Sequence, residues 1–231
     1  MHKAHTSFVT CMNLHYTMDY AMCPTTGVSR VIVIYGHSYP KRLNEICNQR
    51  GIFPEQMFHR FFDKVYLEGY GGLQYSRLLG NQDYYLGNLV GHDIDILCVD
   101  LGSNDLCYID VTPASLAERV KDFLDTLQYH RIRPQVIVLL TVLHRTYLQQ
   151  RDGQISGVNV YNARVDNFNH RLHQIAAEYP DVLVWAQEGY FPDNHDPPFI
   201  QGCHLTPAGI QRQVECLTDM IEGVSNQLNR A

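Results

Sequence analysis

The length, composition and charge of the chain are typical of one globular α/β domain. With 231 residues, 45% of them hydrophobic, the chain can bury a full core, and its length suits one domain better than two. The formal net charge of -6 argues against a nucleic-acid partner or an anionic membrane surface, because those partners require clustered Lys and Arg. The uninterrupted apolar stretches have about the length of strands, far below the roughly 20 residues that span a bilayer.

The N-terminal segment predicts an irregular extension rather than a leader or a metal site. Residues 1–28 show no sustained period and no continuous apolar run of the secretory type, so we expect a single domain over residues 29–231 in an intracellular, cytoplasmic protein. The seven cysteines of the chain form an odd set without close pairs, which favours reduced thiols over a disulfide framework. Four side chains of the extension could bind a metal: His5, Cys11, His15 and Cys23. Their spacing is too loose for a zinc finger, and we expect no metal.

The first strand of the domain ends at a serine. Residues 31–35 are apolar throughout and begin with four β-branched side chains, which predicts a strand buried on both faces, as in the middle of a parallel sheet. Gly36 supplies the turn after this strand. Ser38 then stands at the carboxyl end of a central strand, where open α/β sheets bind their ligands. The serine is interpreted either as a nucleophile or as the N-cap of the next helix.

The second strand, over residues 65–68, runs into a cluster of glycines. Gly69, Gly71 and Gly72 do not fit a dinucleotide fingerprint, because Gln74 stands where the third glycine of that pattern is needed, and no Walker-type phosphate loop is present. Glycines at this edge of a sheet can bring a backbone N–H close to a bound group, or can simply form a turn.

Polar residues also follow the third and fourth strands. Residues 94–101 form an apolar strand that ends in Gly102, Ser103, Asn104 and Asp105. The amide of Asn104 could donate to a developing oxyanion or could form an Asx turn. After the fourth strand, residues 136–142, Arg145 could hold a substrate carboxylate or phosphate, or lie in solvent.

The remainder of the chain completes an alternation of strands and helices. Thr112 and Thr206 each precede a proline and an amphipathic run, which predicts two helix starts, and residues 182–185 form a fifth strand. A loop over residues 187–205 carries His195, Asp196 and His204, and loops of this length are often functional. Strands alternating with helices without hairpin signals predict a parallel sheet with helices on both faces.

Four blocks taken in chain order are similar to those of a known enzyme family. Gly36-His37-Ser38, Gly72, the run Gly102-Ser103-Asn104-Asp105 and His204 together resemble the SGNH (GDSL-type) hydrolase superfamily over about residues 30–225. The residues around the blocks are most similar to the SGNH-like domains of animal genomes and retroelement reading frames. The resemblance implies a flavodoxin-like three-layer sandwich with a five-stranded parallel sheet. It also implies a hydrolase that acts on a small ester or acylated substrate without a cofactor or metal.

The resemblance assigns a role to each block. It implies that Ser38 is the nucleophile and that His204 is the base that takes the serine proton. The oxyanion hole would then combine the backbone N–H groups of Ser38 and Gly72 with the side chain of Asn104, and Gly71 is the alternative to Gly72. These groups are chemically sufficient, since serine needs a base within reach and the tetrahedral intermediate needs donors aimed at its oxygen.

The chain departs from the family pattern at two positions. His37 replaces an aspartate, which we expect to loosen the turn, and His37 is, with Arg145, a candidate for substrate binding. Gln201 replaces the aspartate that usually stands three residues before the histidine, and loss of such a carboxylate lowers the rate of a serine protease about 10⁴-fold. Gln201 can still accept the Nδ1–H of His204 through its amide oxygen, or Asp196 or Asp193 could take that place.

Three functions follow from these observations. The first is a serine esterase or acylhydrolase with a Ser-His site and a covalent acyl-enzyme, weakened by Gln201. The alternative is a catalytically idle SGNH-fold module that binds a ligand or a protein. A flavodoxin-like nucleotide-binding protein is disfavoured by the glycine spacings. The sequence does not indicate an oligomeric state.

Overall fold

The computed structural model of the chain describes residues 30–58, 64–148, 151–187, 199–200 and 204–230, with the side chains of residues 199, 200 and 204 outside that description. The predicted extension over residues 1–28 lies outside the described residues. So do the two predicted partners of the histidine, Gln201 and Asp196.

The domain is built on five parallel strands, as the sequence predicts. They are β1 (Val31–Gly36), β2 (Lys64–Gly69), β3 (Ile96–Asp100), β4 (Val136–Leu140) and β5 (Val182–Trp185). The strands lie in the order β2-β1-β3-β4-β5, and every neighbouring pair is parallel. The chain moves outward from β1 to β2 and then returns past β1 to β3, so the winding direction reverses between β1 and β3. Ligands of open α/β sheets bind at such a reversal, outside the carboxyl ends of the two strands.

Seven α-helices connect and cover these strands within the described part of the chain. They are α1 (Ser38–Arg50), α2 (Pro54–Met57), α3 (Tyr75–Gly80), α4 (Gln82–Leu86), α5 (Pro113–Tyr129), α6 (Val158–Glu178) and α7 (Pro207–Leu228). The two helix starts predicted at Thr-Pro pairs are confirmed, because Thr112 accepts a hydrogen bond from the Ser115 N–H and Thr206 accepts one from the Gly209 N–H. No helix in these ranges is apolar over a length that would cross a lipid bilayer.

The strands are buried on both faces because alternate side chains enter two separate cores. Val33, Val99 and Leu139 pack in one core with residues of α3, α4, α5 and α6. Ile34 and Cys98 point the opposite way and pack with α1 and α7. A strand covered on both faces needs apolar side chains at every position, which explains the unbroken apolar runs of the sequence. The predicted three-layer sandwich is therefore confirmed.

The segment before α7 contains a short element that the sequence does not predict. Two short strands, β6 (Phe199–Ile200) and β7 (His204–Leu205), pair in antiparallel orientation. They lie at the end of the stretch that the sequence predicts to be an irregular loop. Strands of two residues are too short to show a period in the sequence. Leu205 is buried and forms one small apolar cluster with Tyr39 and Leu143, so β7 is fixed against the first turn of α1.

The described cysteines are reduced thiols in the interior of the domain. Cys47, Cys98, Cys107 and Cys216 are all buried and none forms a disulfide. Burial raises the pKa of the Cys47 and Cys98 thiols above the ordinary value, so both remain protonated and act as small apolar side chains. This agrees with the prediction of reduced thiols for the described part of the chain.

We expect substitution of Gly36 by alanine to destabilise the sheet. Gly36 stands opposite Asp100 in the β1–β3 register, and a Cβ added at Gly36 would lie 2.3 Å from the Asp100 carbonyl oxygen. Because backbone must move to relieve this overlap, the free energy of unfolding should fall by about 2–3 kcal/mol in urea titrations. Gly80→Ala is the matched control, since a Cβ there meets nothing within 4 Å and alanine is the better helix former. Equal stability of the two variants would contradict the tight β1–β3 contact.

Candidate active site

The turn after β1 holds Ser38 between the ends of two neighbouring strands. The Gly36 carbonyl accepts a hydrogen bond from the Tyr70 N–H (2.9 Å), and the His37 N–H donates to the Asp100 carbonyl (3.2 Å). Helix α1 then begins at Ser38, whose side chain is half-buried. The position of the hydroxyl is therefore set by backbone bonds to the chain after β2 and to the end of β3.

The ring of His37 is buried next to Ser38 and closes the turn. Its Nδ1 accepts a hydrogen bond from the Ser38 N–H (2.8 Å) and lies 3.4 Å from the Ser38 Oγ. A nitrogen that accepts in this way carries no proton, so the neutral ring bears its proton on Nε2. Nε2 lies 3.0 Å from the Ser103 Oγ and 3.4 Å from the Asp100 Oδ1. The replacement of the family's aspartate by His37 therefore does not open the turn, because the imidazole caps α1 and is itself held from β3.

Asn104 and Gly72 stand on two adjacent loops that are joined to each other. The Asn104 Nδ2 donates to the Leu73 carbonyl (3.0 Å), which leaves the second N–H of the same amide available to another acceptor. Gly72 has a φ of 71°, in the left-handed region that favours glycine, and no described residue accepts a hydrogen bond from its backbone N–H. Both residues can therefore present N–H donors on the same side of the site.

Asp105 also connects the loop of Asn104 to the segment that follows Gly72. Its carboxyl group is fully buried, accepts from the Tyr75 N–H (3.2 Å to Oδ1) and lies 3.7 Å from the Arg119 Nη1. Burial raises the pKa of Asp105 from 3.8 to about 7, although the Tyr75 hydrogen bond and the Arg119 charge act in the opposite direction. The residue that follows Asn104 thus fixes the segment that follows Gly72.

The raised pKa of Asp105 predicts a pH-dependent stability. The folded-state pKa of about 7 exceeds the unfolded value of 3.8, so the folded protein holds the proton between these values while the unfolded chain has lost it. The free energy of unfolding therefore falls as pH rises through this window and levels off above pH 7. Its steepest slope is about 1.4 kcal/mol per pH unit, which applies where the folded state holds one proton that the unfolded chain has lost. In Asp105→Asn, which keeps an oxygen for the Tyr75 N–H, this loss should be absent.

Urea unfolding of the wild type and Asp105→Asn at pH 5 and pH 8 measures this effect. The wild type should lose more stability than the variant over that interval. Parallel pH profiles of the two proteins would contradict the raised pKa.

Ser38, Gly72 and Asn104 line one cavity of about 490 Å³. The cavity lies outside the carboxyl ends of β1 and β3, at the reversal of the winding direction. The structure therefore brings together three of the four groups that the resemblance singles out. For the fourth, the backbone of His204 in β7 runs against α1, where Leu205 packs on Tyr39, the residue after Ser38. The side chain of His204 is outside the described part of the chain.

Solved structures of other proteins share this fold. The chain is similar to a protein from Streptococcus pneumonia described as a platelet activating factor, with a TM-score of 0.63, 20% identity, and coverage of 84% of this chain and 85% of that one. It is also similar to a protein of Bacteroides fragilis described as an acylhydrolase (TM-score 0.60, 13% identity, 84% and 88% covered). A third match is a GDSL-like lipase of Bacteroides thetaiotaomicron (TM-score 0.60, 12% identity, 84% and 89% covered).

The chain has the same three-layer α/β fold as these three proteins. The resemblance seen in the sequence blocks is confirmed at that level. No protein-family model matches the chain, and no curated protein sequence matches it. The fold is therefore shown by the arrangement of the strands and helices, while the identity to each of the three structures is 20% or less.

Arg145 lines the cavity rather than extending into solvent. It is half-buried, with its Nη1 2.9 Å from the Cys107 Sγ and its Nη2 donating to the Ser103 carbonyl (3.3 Å). Its guanidinium carbon lies 4.7 Å from the centre of the Tyr161 ring, a cation–π contact. These contacts hold the guanidinium close to the Ser103–Asn104 segment.

The sequence reasoning missed several residues of the site. Asp100 and Ser103 hold the His37 ring, and no pattern in the sequence indicates this. Four further cations line the cavity: Lys41, Arg42, Arg77 and Arg151. For two of them a signal was available, because residues three and four places after Ser38 on a helix share its face.

Proposed function

We propose that this protein is a serine hydrolase that cleaves a carboxylic ester through a covalent acyl-enzyme on Ser38. The observation that supports the proposal is the common cavity of Ser38, Gly72 and Asn104, in which a serine hydroxyl would meet two N–H donors. The shared fold with a GDSL-like lipase supports the same reaction class. No cofactor enters the proposed chemistry.

The reaction would proceed in two steps with His204 as the base. His204 takes the proton of the Ser38 hydroxyl as the Oγ bonds to the acyl carbon, and the carbonyl oxygen becomes an oxyanion. The carbon–oxygen bond to the alcohol then breaks, and the alcohol leaves with the proton from His204. In the second step a water molecule gives a proton to His204, attacks the acyl carbon and releases the carboxylic acid, after which Ser38 regains its proton.

The oxyanion would be stabilised by donors that converge on the cavity. The backbone N–H of Gly72 and the second N–H of the Asn104 amide supply two of them. The Ser38 N–H is the third donor that the resemblance implies, and it donates to the His37 Nδ1. It would therefore have to exchange this acceptor for the oxyanion, and part of the binding energy of the transition state would be spent on that exchange.

A catalytically idle binding module is the second candidate function. The engagement of the Ser38 N–H by His37 favours it, as does Gln201 in the place of the usual aspartate. An amide can orient His204 but cannot balance the charge of an imidazolium, so the proposed enzyme should be slow compared with hydrolases that have a carboxylate there.

Labelling with a fluorophosphonate separates the two candidates. The probe should react with the folded protein, and mass spectrometry of the digested adduct should place the phosphonate on the peptide that carries Ser38. Labelling should disappear when the protein is unfolded in urea before the reaction. Absence of labelling in the folded protein, together with no hydrolysis of p-nitrophenyl acetate, would favour the binding module.

A further inference from the structure

The cavity around Ser38 has a charge opposite to that of the whole chain. The chain has 24 Asp and Glu against 18 Lys and Arg, so a lining drawn from it at random would hold more anions than cations. Among the described lining residues five are cationic and one is anionic: Lys41, Arg42, Arg77, Arg145, Arg151 and Glu45. The Lys41 Nζ lies 3.8 Å from the Glu45 Oε1, so this pair is neutral overall, and no described residue forms an ion pair with Arg42 or Arg77.

The cations flank the reacting position on both sides. Lys41 and Arg42 lie one helical turn after Ser38 on α1, on the face that also presents the serine to the cavity. On the opposite side the Ser103 carbonyl and the Tyr161 ring hold Arg145 next to Asn104. A sphere with the volume of the cavity is about 10 Å across, comparable with the screening length at physiological salt, so all of these charges act on one bound molecule.

We infer that the ester cleaved here carries a phosphate group on its alcohol or acyl part, an inference that rests on the proposed function. A guanidinium is weakly hydrated and offers paired N–H donors that match the oxygens of a phosphate. Arg42 and Arg77 together carry more positive charge than a single carboxylate neutralises, whereas a phosphate monoester brings close to two negative charges and three acceptor oxygens. The contacts that Arg145 already makes keep its position fixed, which lowers the entropy lost when an anion binds.

A pair of esters that differ only in charge tests this substrate class. The ratio of kcat/KM for 1-acetylglycerol 3-phosphate to that for 1-acetylglycerol should be about tenfold or more at low ionic strength and should shrink in high salt. Arg42→Gln and Arg77→Gln should each lower the ratio, because the loss of one positive charge reduces kcat/KM for the phosphorylated ester more than for the neutral one. Arg133→Gln is the matched control and should leave the ratio unchanged. This exposed arginine precedes β4, at the amino ends of the strands, whereas the cavity lies outside their carboxyl ends. Equal kcat/KM values for the two esters would overturn the inference.

A binding measurement separates failure of this inference from failure of the proposed function. Calorimetric titration of Ser38→Ala with glycerol 3-phosphate should show saturable binding that weakens in the Arg42→Gln, Arg77→Gln background. Binding without hydrolysis of any ester would support the phosphate site and reject the hydrolase. Hydrolysis of both esters with equal kcat/KM and no binding of glycerol 3-phosphate would support the hydrolase and reject the phosphate site. A comparison of 1-acetylglycerol 3-phosphate with 1-palmitoylglycerol 3-phosphate then distinguishes a small phosphorylated substrate from a lipid. Cleavage of either ester in preference to its unphosphorylated form supports the inference.

Discussion

Ser38→Ala is expected to reduce ester hydrolysis to the rate of buffer alone. The Ser38 Oγ is the only protein atom that bonds to the acyl carbon in the proposed mechanism, and loss of a nucleophilic serine lowers kcat by on the order of 10⁶-fold in a serine protease. The fold should survive, because alanine is a good helix former and α1 begins with the backbone N–H of residue 38 on the His37 ring. Initial rates with p-nitrophenyl acetate and with 1-acetylglycerol 3-phosphate measure the loss.

Ser76→Ala provides the control for this substitution. Ser76 is an exposed serine on α3 that does not line the cavity, so the variant should keep the wild-type rate and the wild-type unfolding curve. A Ser38→Ala protein that folds normally and retains a tenth or more of the wild-type kcat would show that the hydrolysis takes place elsewhere.

Asn104→Ala is expected to lower kcat by about 10²–10³-fold with little change in KM, the loss found when one oxyanion donor is removed. The amide donor acts on a charge that develops only in the transition state, so its loss affects the chemical step more than substrate binding. Some stability should also be lost, about 1 kcal/mol, because the Asn104 Nδ2 no longer donates to the Leu73 carbonyl. Steady-state kinetics at a temperature well below the unfolding transition separates the two effects.

Asn88→Ala is the matched control for the amide. The Asn88 Nδ2 donates to the Glu68 Oε2 (3.1 Å), an exposed hydrogen bond outside the cavity lining. Its loss should change neither kcat nor KM. A fall in kcat that is equal in the two variants, or a rise in KM alone for Asn104→Ala, would contradict the role of Asn104 as an oxyanion donor.

The sheet and the common location of Ser38 and Asn104 could be predicted because local patterns determine them. The apolar runs of β1 and β3 can only be satisfied by burial on both faces, and the alternation of strands with helices then requires a parallel sheet. Carboxyl ends of parallel strands meet at one edge, so Ser38 and Asn104 had to lie on the same side of the domain. The resemblance added the pairing of these residues with Gly72 and His204.

The remaining features depend on contacts between distant parts of the chain. The capping of α1 by His37 requires Asp100 and Ser103 to lie behind the ring, and the raised pKa of Asp105 requires complete burial that Arg119 offsets only in part. Hydrophobic periodicity contains no information about either. The cationic lining also depends on the folded chain, because Arg77 lies on α3 and Arg145 lies in the loop after β4, and the two share a cavity only after folding.

The central claim is that Ser38 attacks an acyl group whose oxygen is held by Gly72 and Asn104. A crystal structure of the protein after reaction with a fluorophosphonate tests it most directly, since the phosphonyl oxygen takes the place of the oxyanion. The account predicts phosphorus bonded to the Ser38 Oγ, with the phosphonyl oxygen about 2.7–3.1 Å from the Gly72 nitrogen and the Asn104 Nδ2. Phosphorus on another side chain, or a phosphonyl oxygen directed away from both donors, would contradict it.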